Sequence, residues 1–79
     1  MNDLIQNVDN LHTTKMGADR IKRNLGIETD DVVTWCKEKI LDENVLIERL
    51  GKNWYATVCG YRITVNAHSF TIITAHTVK

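Results

Sequence analysis

Leu4, Ile5, Val8 and Leu11 recur at the three- and four-residue spacing of one helical face and predict an amphipathic helix over residues 2–11. His12-Thr13-Thr14 interrupts it, and either threonine can cap a second helix over 14–25 by accepting from its free N–H groups. That helix is expected to bury Met16, Ile21 and Leu25, while Lys15, Asp19 and Arg23 form a ladder of alternating charge on another face. Asn24-Leu25-Gly26-Ile27 has the form of a helix stop, with the glycine left-handed and Ile27 packing back. Thr29-Asp30-Asp31 opens a third helix, whose apolar stripe is Val32, Val33, Cys36 and Ile40 and whose end is expected near Asp42 to Asn44.

From Val45 onward the period changes from helical to alternating. β-Branched and aromatic residues predict strands over 45–50, 53–59, 61–66 and 69–76. Gly51-Lys52-Asn53, Cys59-Gly60 and Asn66-Ala67-His68-Ser69 carry turn chemistry, and connections this short force antiparallel neighbours, hence a meander. Alternation puts Trp54, Ala56, Val58, Ile63, Val65, Phe70 and Ile72 on the face that meets the helices. Tyr55, Thr57, Arg62, Thr64, Asn66 and Thr71 fall on the other face, with Ile73 as an apolar exception. The expected fold is α+β: two or three N-terminal helices packed on one face of a four-stranded antiparallel sheet.

Length and composition fit one domain over residues 1–79, with a helical half (1–44) and a sheet half (45–79). At this size a single core is small, so both a monomer and a homodimer are open. Ten basic and ten acidic side chains cancel, which argues against a general polyanion binder held by bulk charge. The balance is uneven along the chain. Residues 1–44 hold six basic and nine acidic groups, or −3; Arg49, Lys52, Arg62 and Lys79 against Glu48 make the remainder +3. A weakly basic sheet face therefore keeps RNA open as a partner. No apolar run reaches the roughly 18–20 residues of a membrane span. Met1-Asn2-Asp3-Leu4 has no basic segment followed by an apolar core, so a cytoplasmic protein with reduced Cys36 and Cys59 is expected.

The chain has no glycine-rich phosphate loop, Gly-x-Ser-x-Gly elbow or Cys-x-x-Cys pair. Cys36, Cys59, His68 and His76 are spaced 23, 9 and 8 residues apart, which matches no common zinc pattern, and no metal or cofactor is expected. The histidines carry the remaining chemistry. Two that converge can act as acid and base, and RNA cleavage through its own 2′-hydroxyl needs such a pair with a cation for the charged phosphorus centre. His12 and His76, with Arg20 or Arg62 as cation, are the catalytic candidates; Lys15, Lys52, Tyr55, Asn66 and His68 are the candidates for RNA contact. Each has a plainer role beside it: an exposed or structural histidine, or a solvated charged helix face. Trp54 belongs to the core face, whereas Tyr55 points the other way and offers a ring for base stacking.

Leu11-His12-Thr13-Thr14-Lys15-Met16-Gly17, Gly51-Lys52-Asn53-Trp54-Tyr55 and the run from Ile63 to His76 resemble a family of small uncharacterised bacterial proteins, a domain of unknown function; the likeness covers nearly the whole chain. A looser one extends to the barnase–RelE–colicin superfamily of small RNases. It rests on a histidine before a helix, Arg20-Ile21 within it, Asp30-Asp31-Val32 opening the next helix, and the closing strand Thr71-Ile72-Ile73-Thr74. That resemblance implies short helices before a four-stranded antiparallel sheet whose open face cleaves RNA, with His12 and Arg20 matching the superfamily's histidine and arginine. The chain departs from it in lacking a strongly basic balance, and no diagnostic catalytic set of the superfamily maps onto it.

Three functions follow as expectations: a metal-independent endoribonuclease or toxin-like relative on the open sheet face, a protein-binding module or inhibitor using that face or an edge strand, and non-catalytic RNA binding. His12, Arg62 and His76 within about 10 Å of one another around an open cleft favour the first; scattered histidines favour the protein-binding module.

Overall fold

The computed structural model describes residues 3–78. The chain forms helix α1 (Asp3–Gln6), a 3-10 turn (Val8–Asn10), α2 (Lys15–Leu25) and α3 (Val32–Ile40), then β1 (Leu46–Leu50), β2 (Asn53–Val58), β3 (Tyr61–Asn66) and β4 (Ile72–Thr77). The strands make one antiparallel sheet in the order β1-β2-β3-β4. This is the expected α+β meander with its helices N-terminal to the sheet.

The single helix expected over 2–11 is instead broken in two, and its expected start at Asn2 lies outside the described residues. The break is at Asn7. Its side-chain amide donates to the Asp3 carbonyl at 2.8 Å and its Oδ1 accepts from Asn10 Nδ2 at 2.9 Å, local bonds that compete with helix continuation. Capping of the later helices follows the sequence. Thr14 Oγ1 accepts from the Gly17 N–H at 3.0 Å, and Gly26 ends α2 in the left-handed conformation at φ 65°. Asp31 opens α3 by accepting from both the N–H and the hydroxyl of Thr34, at 3.0 and 2.6 Å.

Leu4, Ile21, Cys36 and Ile40 from the helical half are fully buried against Ala56, Ile63, Val65, Ile72 and Ala75 of the sheet. Each large aliphatic among them contributes about 1.5–3 kcal/mol through burial. Met16, expected in this core, is 77% exposed. It lies nine residues before Leu25, which at 3.6 residues per turn is half a turn out of phase with the buried stripe. Phe70, expected on β4, precedes the strand at φ 60° and reaches the core from a turn. The strand begins only at Ile72 because Asn66 spends its side chain closing that turn, accepting from the His68 and Ser69 N–H groups.

The register explains Ile73. Thr64 faces Thr74 and Val65 faces Ile72, so Ile73 is the extra residue of a β-bulge and points outward. Thr64 lies on the face away from the helices as expected, yet it is only 7% exposed, since Tyr55 and Thr74 flank it on the two neighbouring strands. The β4 edge is covered at its start: the Ile72 N–H donates to the His12 carbonyl at 2.7 Å and Thr13 Oγ1 donates to the Ile72 carbonyl at 3.0 Å. The far edge, β1, has no strand beside it among the described residues and exposes Leu46 and Leu50. No helix of the described residues is long and apolar enough to cross a membrane.

Candidate functional site

Register sorts the open face into rows. Leu46, Thr57, Arg62 and His76 form the row at one end, Glu48, Tyr55, Thr64 and Thr74 the middle, and Leu50, Asn53 and Asn66 the other end. The last row continues past β3, because the Asn66 N–H donates to the Thr71 carbonyl at 2.9 Å and Thr71 bridges in parallel to His12. The surface here is open, with no enclosed pocket among the described residues.

The candidate residues therefore fall into two groups. Arg62 and His76 are direct cross-strand partners, and Arg62 Nε donates to Thr57 Oγ1 at 3.4 Å. His12 lies at the opposite end, beside Thr71 and five residues from His76 along β4, roughly 15 Å at strand rise. The three do not share one centre, so His12 and His76 cannot serve as acid and base on a single phosphodiester in this arrangement.

Around His12 the structure gathers most of the RNA-contact candidates. Lys15 is the first residue of α2, exposed three positions after His12. Lys52 occupies the β1–β2 turn, whose carbonyl accepts from the Ala67 N–H at 2.8 Å, tying that turn to the one bearing Asn66 and His68. Tyr55 sits half-buried midway between the two groups. Arg20 is exposed on α2, one turn before Asn24, whose Nδ2 donates to Thr74 Oγ1 at 3.3 Å; it flanks β4 and joins neither group.

The sheet face is less basic than its half of the chain. Strand alternation sends Arg49 to the opposite face, where its guanidinium stands 5.4 Å from the Trp54 ring, and Lys79 lies outside the described residues. Arg62 and Glu48 balance on the strands, leaving the positive charge at the margins.

The imidazole of His12 is engaged at both ring nitrogens. Nδ1 lies 2.9 Å from the Asn10 carbonyl oxygen and Nε2 lies 3.0 Å from Thr71 Oγ1. A carbonyl can only accept, so Nδ1 carries the hydrogen, and in the neutral ring Nε2 is the acceptor for the threonine hydroxyl. Thr71 Oγ1 is 2.8 Å from Ser69 Oγ, which is 3.2 Å from Asn66 Oδ1. Ser69 and Thr71 were not singled out as site residues by sequence. The available signal was the spacing Asn66-x-x-Ser69-x-Thr71, an Asx turn followed by two hydroxyls at alternate positions. Among the described residues no three His, Cys, Asp or Glu side chains are grouped to hold a metal ion.

One family pattern, described as a protein of unknown function, matches residues 5–76. No curated protein and no solved structure matches, and nothing in these comparisons supports the looser likeness to small RNases.

Proposed function

The chain belongs to this family of proteins of unknown function, DUF3781, and we propose that it is a small metal-independent endoribonuclease, cytoplasmic and acting on the open face of its sheet. The observation that carries this is His12: an imidazole on an exposed face, fixed by two hydrogen bonds in the tautomer whose Nε2 accepts a proton. Lys15 and Lys52 supply positive charge at that end, where a cleaved phosphate would sit. Arg62 and His76, roughly 15 Å along the strands, contact a different phosphate of the same RNA strand. Tyr55, between them, offers a ring edge to an intervening base.

The test is cleavage of a short single-stranded RNA in the presence of a chelator. His12→Ala is expected to slow it by at least about a hundredfold, whereas His76→Ala weakens binding more than turnover. No cleavage by the purified protein, or cleavage that survives His12→Ala, overturns the proposal.

The separation of His12 from His76 counts toward a second function, a protein-binding module, which has its own support in β1, whose edge carries Leu46 and Leu50 at 59% and 62% exposure. A partner protein adding a strand there would use the same edge that a protein-binding module needs. Specific retention of a partner by the wild-type chain but not by Leu46→Lys/Leu50→Lys, in a protein that cuts no RNA, would favour it.

A further inference from the structure

We propose that Ser69 and Thr71 form a proton relay to His12 and that Ser69 is the group that meets the substrate, which makes the site one for polyanions bearing a 2′-hydroxyl, RNA and not DNA. The proposal rests on the endoribonuclease function above and names the residues through which that site works. Four groups stand in hydrogen-bond sequence from the Asn10 carbonyl: His12, then Thr71 Oγ1, Ser69 Oγ and Asn66 Oδ1.

The sequence accommodates two proton arrangements without leaving a donor unpaired. With a neutral imidazole, the Ser69 hydroxyl donates to Thr71 Oγ1 and the Thr71 hydroxyl donates to His12 Nε2. With an imidazolium, Nε2–H donates to Thr71 Oγ1, the Thr71 hydroxyl donates to Ser69 Oγ, and the Ser69 hydroxyl donates to Asn66 Oδ1. Nδ1–H stays on the Asn10 carbonyl in both. Moving one proton onto His12 therefore only reverses the direction of two hydroxyls. Their oxygens are held in place meanwhile: the Thr71 N–H donates to Ser69 Oγ at 3.3 Å, and Asn66 Oδ1 is itself anchored by the His68 and Ser69 N–H groups at 2.9 and 3.0 Å. Geometry of this kind makes proton transfer a matter of short, pre-aligned steps.

Both nitrogens of His12 are already engaged, so a substrate hydroxyl reaches the base through the exposed end of the relay, Ser69. The 2′-hydroxyl gives its proton to Ser69 Oγ, Ser69 passes its own to Thr71, and Thr71 passes its own to His12 Nε2. The 2′-oxygen forms a bond to phosphorus as the bond to the 5′-oxygen breaks. The 5′-oxygen leaves with a proton from water, and the imidazolium returns its proton through Thr71 and Ser69 to the hydroxide that remains. The products are a 2′,3′-cyclic phosphate and a 5′-hydroxyl end.

The test joins two readouts. In RNA cleavage, Ser69→Ala and Thr71→Val are expected to lower kcat about a hundredfold with KM little changed, Thr71→Ser to restore the rate, and DNA or 2′-O-methyl RNA to remain uncut. In side-chain nitrogen NMR of the protein alone, His12 is expected as the Nδ1–H tautomer throughout, held by the Asn10 carbonyl, with its Nε2 resonance displaced in Thr71→Val and unmoved in Thr71→Ser. A protein that cuts no RNA but shows this Nε2 pattern sinks the endoribonuclease function and leaves the hydrogen-bonded relay standing. A protein that cuts RNA at full rate as Ser69→Ala, or whose His12 Nε2 resonance ignores Thr71→Val, overturns the relay itself.

Discussion

Arg62 stands directly opposite His76 across the β3–β4 ladder, on the face of the sheet that the helices leave open. Arg62 is exposed, so truncating it removes charge without opening the core. If the pair grips a phosphate, Arg62→Ala weakens binding of single-stranded RNA evenly across sequences. It also reduces the slope of log affinity against log salt by about 0.7, the value of one phosphate contact on a single strand. Fluorescence anisotropy over a salt series measures both. An unchanged slope removes Arg62 from the RNA surface.

Gly17 sits where α2 passes closest to Thr13. A Cβ at position 17 would lie 2.5 Å from Thr13 Oγ1 and 3.2 Å from Thr14 Oγ1, and the Thr13 hydroxyl is itself bonded to the Ile72 carbonyl. Alanine is otherwise favoured over glycine inside a helix by about 1 kcal/mol. Gly17→Ala is nevertheless expected to destabilise by about 1–2 kcal/mol, because a β-branched side chain anchored to β4 cannot swing aside cheaply. In a Thr13→Ala background the sign of the substitution should reverse. Denaturant unfolding of the four proteins of this cycle checks it.

Asp31 carries the start of α3. Hydrogen bonds from the Thr34 hydroxyl and N–H hold its carboxyl below its ordinary value of 3.8, because they favour the ionised form. The stability this contributes is present above 3.8 and is lost as pH falls through the lowered folded value. Asp31→Ala should therefore lower Tm at neutral pH and converge with wild type in strong acid. Thermal melts of both proteins across that range decide it; a gap that persists in acid would mean the side chain acts by something other than its charge.

How far the sequence reveals this molecule depends on the range of the interactions. Thr14, Gly26 and Asp31 terminate helices through contacts within four residues, and their roles are legible from composition alone. So are the strand faces, because alternation fixes them once the turns are placed. Asn7 breaks α1 through an equally local bond, but its side chain competes with a helix that the apolar spacing favours. Thr71 and His12 are a different matter. They are 59 residues apart and meet only because the segment before α2 pairs with the start of β4. His12 could be named for its chemistry, but the hydroxyls that complete its site carry no mark until the chain has folded. The same holds for the separation of His12 from His76, which depends on strand register.

Cys36 and Cys59 offer the sharpest contrast between two like side chains. Cys36 is fully buried on the inner side of α3, and burial pushes its thiol from 9.0 up to about 12; Cys59 is exposed at the tip of the β2–β3 hairpin. Native protein should therefore react with a disulfide reagent at Cys59 alone, and at both only in denaturant. The same burial has a consequence for stability. Between 9.0 and about 12 the unfolded chain releases the Cys36 proton while the folded chain keeps it, so the unfolded state gains from rising pH. The stability contributed by the neutral thiol is full below 9.0 and falls above it by about 1.4 kcal/mol per pH unit. Tyrosines and lysines titrate in the same window, so the measurement is the difference between wild type and Cys36→Ala. Cys36→Ala should be less stable at neutral pH, by about 1 kcal/mol for the atom lost from the core. That deficit should shrink and then reverse as pH rises past 9.0. Denaturant unfolding in parallel from neutral to alkaline buffer follows it, and a deficit independent of pH would show that the Cys36 thiol titrates as freely in the fold as out of it.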